Sequence, residues 1–76
     1  MVITLNQLRE KMKEIDWEVD SDTLDEASPL RDQGLDSLDM VTLFFFIEET
    51  FSVKISDSDS THLASLRDIA EYLKSR

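Results

Sequence analysis

The chain has 76 residues, enough for one small hydrophobic core, so residues 1–76 are predicted to form a single domain. Its net charge of −9 argues against nucleic acids and anionic membrane surfaces as partners, because their phosphates would be repelled. The absence of cysteine excludes disulfides and cysteine-ligated metal sites. The longest apolar run, residues 43–47, is too short to span a bilayer. We therefore expect a cytoplasmic protein without membrane insertion.

The acidic residues are unevenly distributed. Residues 14–26 contain seven acids and no base. Ion pairs are not expected for this stretch, and its carboxylates should repel one another. Such an acidic side favours protein partners with basic patches. The alternative is that the charge serves only to keep a small protein soluble.

The first predicted helix begins after Thr4, which with Gln7 forms a capping-box pattern. Trp17 and Val19 are expected to pack its end against the core. Residues 16–36 are predicted to form a long acidic loop without secondary structure, an arrangement that is often functional in a small domain. The helix is predicted from apolar residues at helical spacing, Leu5, Leu8, Met12 and Ile15. The expected anchors of the loop are Leu24, Leu30 and Leu35.

The second helix is predicted to start at Asp36 or Ser37 and to run to about Thr50, with two apolar stripes. The larger stripe should face the core, and the smaller one should be exposed as a docking surface. The alternative is that Phe45, in the smaller stripe, packs under the 16–36 loop. The larger stripe contains Met40, Leu43, Phe44, Ile47 and Phe51. The smaller stripe contains Leu38, Val41 and Phe45.

Two further helices are predicted from Ser-x-x-Asp start signals at Ser56 and Ser65. The first should be short, near residues 57–62, and the second should span residues 66–74. No segment shows the sustained alternation of a strand. The predicted fold is all-α, a small four-helix bundle of three longer helices and one short helix, with a long loop between helices 1 and 2.

Signals of catalysis or metal binding are weak. His62 is the sole histidine and is predicted to lie on the surface. Residues 57–68 resemble a calcium loop, but His62 stands where glycine is needed and Asp68 replaces the bidentate glutamate. We therefore expect neither an enzyme with catalytic residues nor a metal site.

Ser37 is the strongest candidate for a functional residue. Gly34 supplies a flexible turn and Asp36 can cap the helix, which places Ser37 in its first turn. The free backbone N–H groups and the positive dipole end at that position suit an anionic group attached to the hydroxyl. The alternative is that Ser37 or Asp36 only caps the helix.

Residues 34–56, "GLDSLDMVTLFFFIEETFSVKIS", closely resemble the acyl carrier protein family, and the resemblance extends to Tyr72 and Leu73. It implies that 4′-phosphopantetheine is attached covalently to Ser37, beside Asp36, and that the thiol of this arm holds acyl groups as thioesters. The implied partners are a phosphopantetheinyl transferase and acyl-loading or acyl-processing enzymes of ketosynthase, acyltransferase or ligase type. The residues that carry the resemblance are Gly34, Asp36, Ser37, Leu38, Asp39, Glu48, Glu49 and Phe51.

The resemblance also implies a docking surface and an acyl cavity on a monomeric carrier for fatty-acid, polyketide or related lipid biosynthesis. The alternative is an acidic helical interaction module without a prosthetic group. The implied partner-binding residues are Leu38, Asp39, Val41, Phe45, Glu48, Glu49 and Asp57. The implied acyl-cavity residues are Leu43, Phe44, Ile47, Ile55, Leu63, Leu66, Ile69 and Leu73.

The sequence departs from the family pattern at several positions. Thr42 stands where an acid is usual, Gln33 where leucine is usual, and Ser56 where proline is common. The run of phenylalanines at residues 44–46 is bulkier than usual. These departures favour a specialised carrier over a general one, and Asp36 favours acyl over peptidyl cargo.

Overall fold

The computed structural model describes residues 3–75 and is all-helical over that range, as predicted. Three longer helices, α1 (Leu5–Met12), α2 (Ser37–Phe51) and α4 (Leu66–Lys74), are accompanied by one short helix, α3 (Asp57–Ser60). Within residues 3–75, none of these helices combines the length and the apolar composition needed to cross a membrane. The predicted small helical bundle is confirmed.

The helices begin where side chains can bond their first free amides. The Thr4 hydroxyl accepts from the Gln7 N–H at 3.1 Å, and the Gln7 side chain accepts from the Thr4 N–H at 2.9 Å. Ser65 and Asp68 form the same capping box at α4, whereas Ser56 caps α3 alone. Because first-turn amides have no partner within their helix, these caps determine where each helix starts. The predicted starts are confirmed.

Two helices are shorter than predicted, because tighter turns follow them. The chain after α1 forms i→i−3 bonds, from Glu14 N–H to Lys11 O and from Ile15 N–H to Met12 O, so Ile15 lies beyond the helix. A similar tight turn ends α3 at Ser60, where residue 62 was predicted. Ile15 still packs half-buried against the core.

The loop between α1 and α2 is more ordered than predicted. It contains two 3-10 helices, Ser21–Thr23 and Leu30–Gln33, so the expectation of a segment without secondary structure was wrong. Its backbone is also tied to the start of α4, because the Leu30 N–H donates to the Ala64 carbonyl at 2.7 Å. The predicted anchors are all buried: Leu24, Leu30 and Leu35.

One hydrophobic core is formed by side chains from α1, α2, α4 and the 16–36 loop. Trp17 and Val19 pack half-buried against it, as predicted. Its fully buried large side chains are Leu8, Met12, Leu30, Leu43, Ile47, Leu66, Ile69 and Leu73.

The two stripes of α2 separate as predicted. In the larger stripe Met40, Leu43 and Ile47 are buried, and its two phenylalanines are half-buried. In the smaller stripe Leu38 is 72% exposed, and Val41 and Phe45 are each 62% exposed. The alternative that Phe45 packs under the 16–36 loop is therefore wrong. A helix that contacts its bundle along one arc leaves the opposite arc in solvent.

This separation predicts unequal costs for two truncations in the same helix. Ile47→Ala should lower the free energy of unfolding by about 2–5 kcal/mol, because it leaves a cavity in the core. Phe45→Ala should lower it by less than about 1 kcal/mol, because the ring is mostly in solvent. Urea denaturation of both variants measures the difference. Equal destabilisation would show that Phe45 belongs to the core.

Candidate functional site

The chain makes a left-handed turn just before α2. Gly34 has a φ of 98°, and its N–H donates to the Leu30 carbonyl. A Cβ built there would meet nothing within 4 Å, so the backbone conformation rather than space favours glycine. The buried Leu35 then anchors the chain immediately before the helix begins.

Gln33, a departure from the family pattern, fastens this turn to the preceding loop. Its side-chain oxygen accepts from the Asp25 N–H at 2.6 Å. Its side-chain amide donates to the carbonyls of Asp25 and Ser28, both at 3.0 Å. A leucine at this position could make none of these bonds, so the glutamine has a structural role in holding the segment that leads to Ser37.

Ser37 lies in the first turn of α2 but is not needed to cap it. The Asp36 carboxylate accepts from the Asp39 N–H at 2.8 Å, and the Asp39 carboxylate accepts from the Asp36 N–H at 3.1 Å. This capping box is complete without Ser37, which is exposed. Of the two candidate caps in the sequence, Asp36 takes the role, and the serine hydroxyl forms no hydrogen bond within residues 3–75.

This geometry fits a phosphate ester at Ser37. The hydroxyl faces solvent at the positive end of α2, where an attached anion is stabilised by first-turn amides. Within the described part of the chain, no general base is hydrogen-bonded to the hydroxyl.

A groove of about 230 Å³ lies between α2 and α3. Of the predicted cavity residues, Phe44 and Ile55 line it, whereas the other six are buried in the core. It also borders the exposed stripe of α2 and so connects the predicted docking surface with the predicted cavity. Its lining residues are Val41, Phe44, Phe45, Glu48, Ile55, Asp57 and Ser60.

The predicted partner-binding acids differ in their surroundings. Glu49 and Asp57 are exposed, whereas Asp39 is half-buried in the capping box. Glu48 is also half-buried, and its carboxylate accepts from the Ile55 N–H at 2.8 Å. The sequence carries no signal for this contact, because it joins a helix to a connector that has no periodic pattern.

A second groove, of about 630 Å³, lies beside the start of α2, between it and the segment 16–24. Asp16, Glu18 and Asp20 line one side, and Asp36 and Asp39 line the other. Acids that are distant in sequence are thereby placed on two sides of one groove at the start of α2.

The comparisons with known proteins agree with this geometry. The phosphopantetheine attachment site family matches residues 6–73. A protein named acyl carrier protein from Desulforapulum autotrophicum is 35% identical over 69 residues, which is 91% of this chain and 86% of that protein. The chain belongs to the acyl carrier protein family. Its members carry a covalently attached 4′-phosphopantetheine, which is therefore the cofactor of this chain.

Two further relatives match over a shorter region. Proteins named acyl carrier protein from Bdellovibrio bacteriovorus and Syntrophus aciditrophicus are each 43% identical over 51 residues, or 67% of this chain. The matched regions span 65% and 64% of the lengths of those two proteins.

Ion pairs reach into the acidic stretch of this carrier-family chain, contrary to expectation. Lys13 contacts Asp22 at 3.3 Å, and Arg67 contacts Glu26 at 3.3 Å. The expectation was wrong because these bases lie outside residues 14–26 and approach only in the folded chain. Hydrogen bonds to Glu10 and Asp22 raise the pKa of Lys13.

The acids of the 630 Å³ groove differ from these, because they are not paired with bases. Among the described residues, no ion pair involves the five carboxylates of the 630 Å³ groove. Elsewhere in the loop, the Ser28 hydroxyl donates to the Asp25 carboxylate and lowers its pKa. The 630 Å³ groove therefore gathers five acidic residues with no basic partner among the described residues.

We predict that the melting temperature rises with salt. The Debye length falls from about 30 Å at 0.01 M to about 8 Å at 0.15 M ionic strength, which screens repulsion among the unpaired acids. The double variant Asp16→Asn/Glu18→Gln should melt higher than the wild type at low salt and depend less on salt. Calorimetry at several salt concentrations tests this. A melting temperature that does not change with salt would contradict it.

Proposed function

We propose that this chain is an acyl carrier whose Ser37 hydroxyl is esterified with 4′-phosphopantetheine. The arm ends in a thiol that holds acyl intermediates as thioesters, so the carrier presents substrates to enzymes and catalyses no reaction itself. Family membership supports the cofactor. The observation that supports Ser37 as its attachment point is the Asp36–Asp39 capping box, which leaves an exposed and unbonded serine at the start of α2.

The carrier's own residues orient the attachment point. Gly34 and Gln33 hold the turn before α2, and Asp36 begins the helix so that Ser37 projects into solvent. The positive end of α2 stabilises the phosphodiester once it has formed. A phosphopantetheinyl transferase with magnesium supplies the base that takes the serine proton. The Ser37 oxygen then bonds to the phosphorus of coenzyme A that bears the pantetheine, and adenosine 3′,5′-bisphosphate leaves.

Partner enzymes are proposed to dock on the exposed stripe of α2. Leu38, Val41 and Phe45 offer apolar contact area beside the serine, and Glu49 and Asp57 supply negative charge at its edge. Asp39 and Glu48 extend this charge on the same helix. The partners are the transferase and acyl-loading or acyl-processing enzymes of ketosynthase, acyltransferase or ligase type with basic patches. We propose neither a nucleic-acid partner nor membrane insertion for this chain.

The proposed setting is cytoplasmic biosynthesis of fatty acids, polyketides or related lipids, with the chain acting as a monomer. The departures at Gln33 and Thr42 favour a specialised pathway. In the fold the Gln33 side chain is hydrogen-bonded to the chain's own loop. Thr42 instead lines the 630 Å³ groove beside α2, where a partner enzyme can contact it.

Attachment at Ser37 is tested by intact-mass spectrometry. Incubation with coenzyme A, magnesium and a broad-specificity transferase should increase the mass of the wild type by one phosphopantetheine. Ser37→Ala should abolish the increase. Ser58→Ala, which removes another exposed helical serine, should leave it unchanged.

The alternative function, an acidic interaction module without a prosthetic group, makes the opposite prediction. In that case the wild type would stay unmodified with several unrelated transferases. Modification of the Ser37→Ala variant would instead place the attachment site elsewhere.

The acyl cavity is proposed to be shallow. Phe44 lines the groove between α2 and α3, and its ring limits how far a chain can pass towards the core. Long acyl chains should therefore shift the amide NMR signals of Phe44 and Ile55 less than short chains do. Phe44→Leu should restore large shifts with long chains. Larger shifts with longer chains in the wild type would refute a shallow cavity.

A further inference from the structure

We propose that the 630 Å³ groove between the segment 16–24 and the start of α2 is a resting site for the unloaded phosphopantetheine arm. This inference rests on the proposed attachment at Ser37 and gives the arm a place on the carrier between encounters with partner enzymes. The groove is distinct from the one between α2 and α3, which was predicted for acyl cargo, because the two share no lining residue.

The groove begins close to the attachment point. Asp36 and Leu38, the two chain neighbours of Ser37, both line it. Consecutive Cα atoms are about 3.8 Å apart, so the arm is attached one residue from the edge of the groove. The groove between α2 and α3 starts at Val41, about one helical turn farther along α2. A tethered ligand therefore meets the 630 Å³ groove at a high effective concentration.

The size and the apolar lining of the groove suit the arm. Clefts that hold small organic ligands have volumes of about 300–1,000 Å³, a range that includes this groove but not the 230 Å³ groove. The pantetheine part of the arm carries a geminal dimethyl group that needs apolar contacts. The groove offers such contacts from Trp17, Val19, Leu24, Leu35 and Leu38.

The acids of the groove suit a neutral ligand that donates hydrogen bonds. Beyond its phosphate, the unloaded arm is uncharged and has amide N–H groups and a hydroxyl. The Asp16 and Glu18 carboxylates form no hydrogen bond or ion pair within residues 3–75, so they are free to accept from these groups. The phosphodiester would be repelled by the acids, and it stays outside the groove because Ser37 holds it at the positive end of α2.

Two residues of the groove can donate to the arm's amide carbonyls. Thr42 is exposed, and its hydroxyl forms no hydrogen bond within the described part of the chain. The acid that is usual at this position in the family could not donate at neutral pH, so this departure suits a diamide ligand. The indole N–H of Trp17 is closed to solvent and has no acceptor within residues 3–75. Because an unpaired buried donor destabilises a fold, an arm carbonyl that reaches this N–H would stabilise the occupied groove.

The contact is tested by NMR on isotope-labelled protein that carries an unlabelled arm with a free thiol. Isotope-filtered nuclear Overhauser effects should connect the arm's methyl protons with Trp17 and Leu24, which are distant from Ser37 along the chain. Trp17 is the sole tryptophan, so its indole N–H gives a single signal, and attachment of the arm should shift it. Absence of effects to Trp17 and Leu24 would overturn the proposal, as would contacts to Phe44 and Ile55 in their place.

The same spectra distinguish the arm from other occupants of an acidic groove. They are recorded with a chelator and at several protein concentrations. An indole shift that appears only after magnesium is added would assign the groove to a cation. A shift that grows with protein concentration would assign it to a second copy of the chain. Either result would overturn the proposal.

The role of Thr42 is tested by the reactivity of the arm's thiol towards dithiodipyridine, a neutral disulfide. Thr42→Val should increase the reaction rate roughly two- to tenfold, because the resting arm loses one hydrogen bond. Thr50→Val is the matched control, since it removes a hydroxyl from the same helix outside the groove, and it should leave the rate unchanged. Failure of the wild type to accept the arm would count against the carrier function. Normal loading with equal rates in all three proteins would overturn the resting site alone.

Discussion

The capping box between Asp36 and Asp39 is the interaction on which the rest of the site depends. It sets the first residue of α2 and so places the exposed Ser37 in the first turn of that helix. It also satisfies the first-turn amide that a serine would otherwise bond, and so leaves the Ser37 hydroxyl free. A cap supplied by Ser37 itself would have held that hydroxyl and started the helix one residue later.

α2 has a buried side and an exposed side. Leu43 and Ile47 are closed to solvent and join the core, whereas Val41 and Phe45 keep most of their surface exposed. Exposed apolar side chains lower solubility, and the surrounding carboxylates offset this cost. The acidic charge thus helps so small a protein to keep an exposed apolar surface, and in the proposed function it also attracts basic partners.

Much of this protein could be predicted from the sequence, because the relevant interactions are local. The caps at Thr4, Asp36, Ser56 and Ser65 bond amides within four residues, so their patterns are visible in the chain. The division of α2 into a core stripe and an exposed stripe follows from helical periodicity alone. The candidate site at Ser37 was found for the same reason, since its glycine, cap and serine lie within four consecutive positions.

Only the tertiary structure decided the contacts between residues that are distant in sequence. The Gln33 side chain bonds Asp25 and Ser28, and Lys13 and Arg67 reach into the acidic stretch from other elements. The Glu48 contact with the Ile55 amide also depends on how the connector folds back on α2. Such contacts produce no periodicity or motif in the sequence. Folding brings the two residues together, and neither residue type is unusual at its position. The sequence by itself determined the helices, their faces and the candidate serine, and the fold decided which polar side chains hold the loops around it.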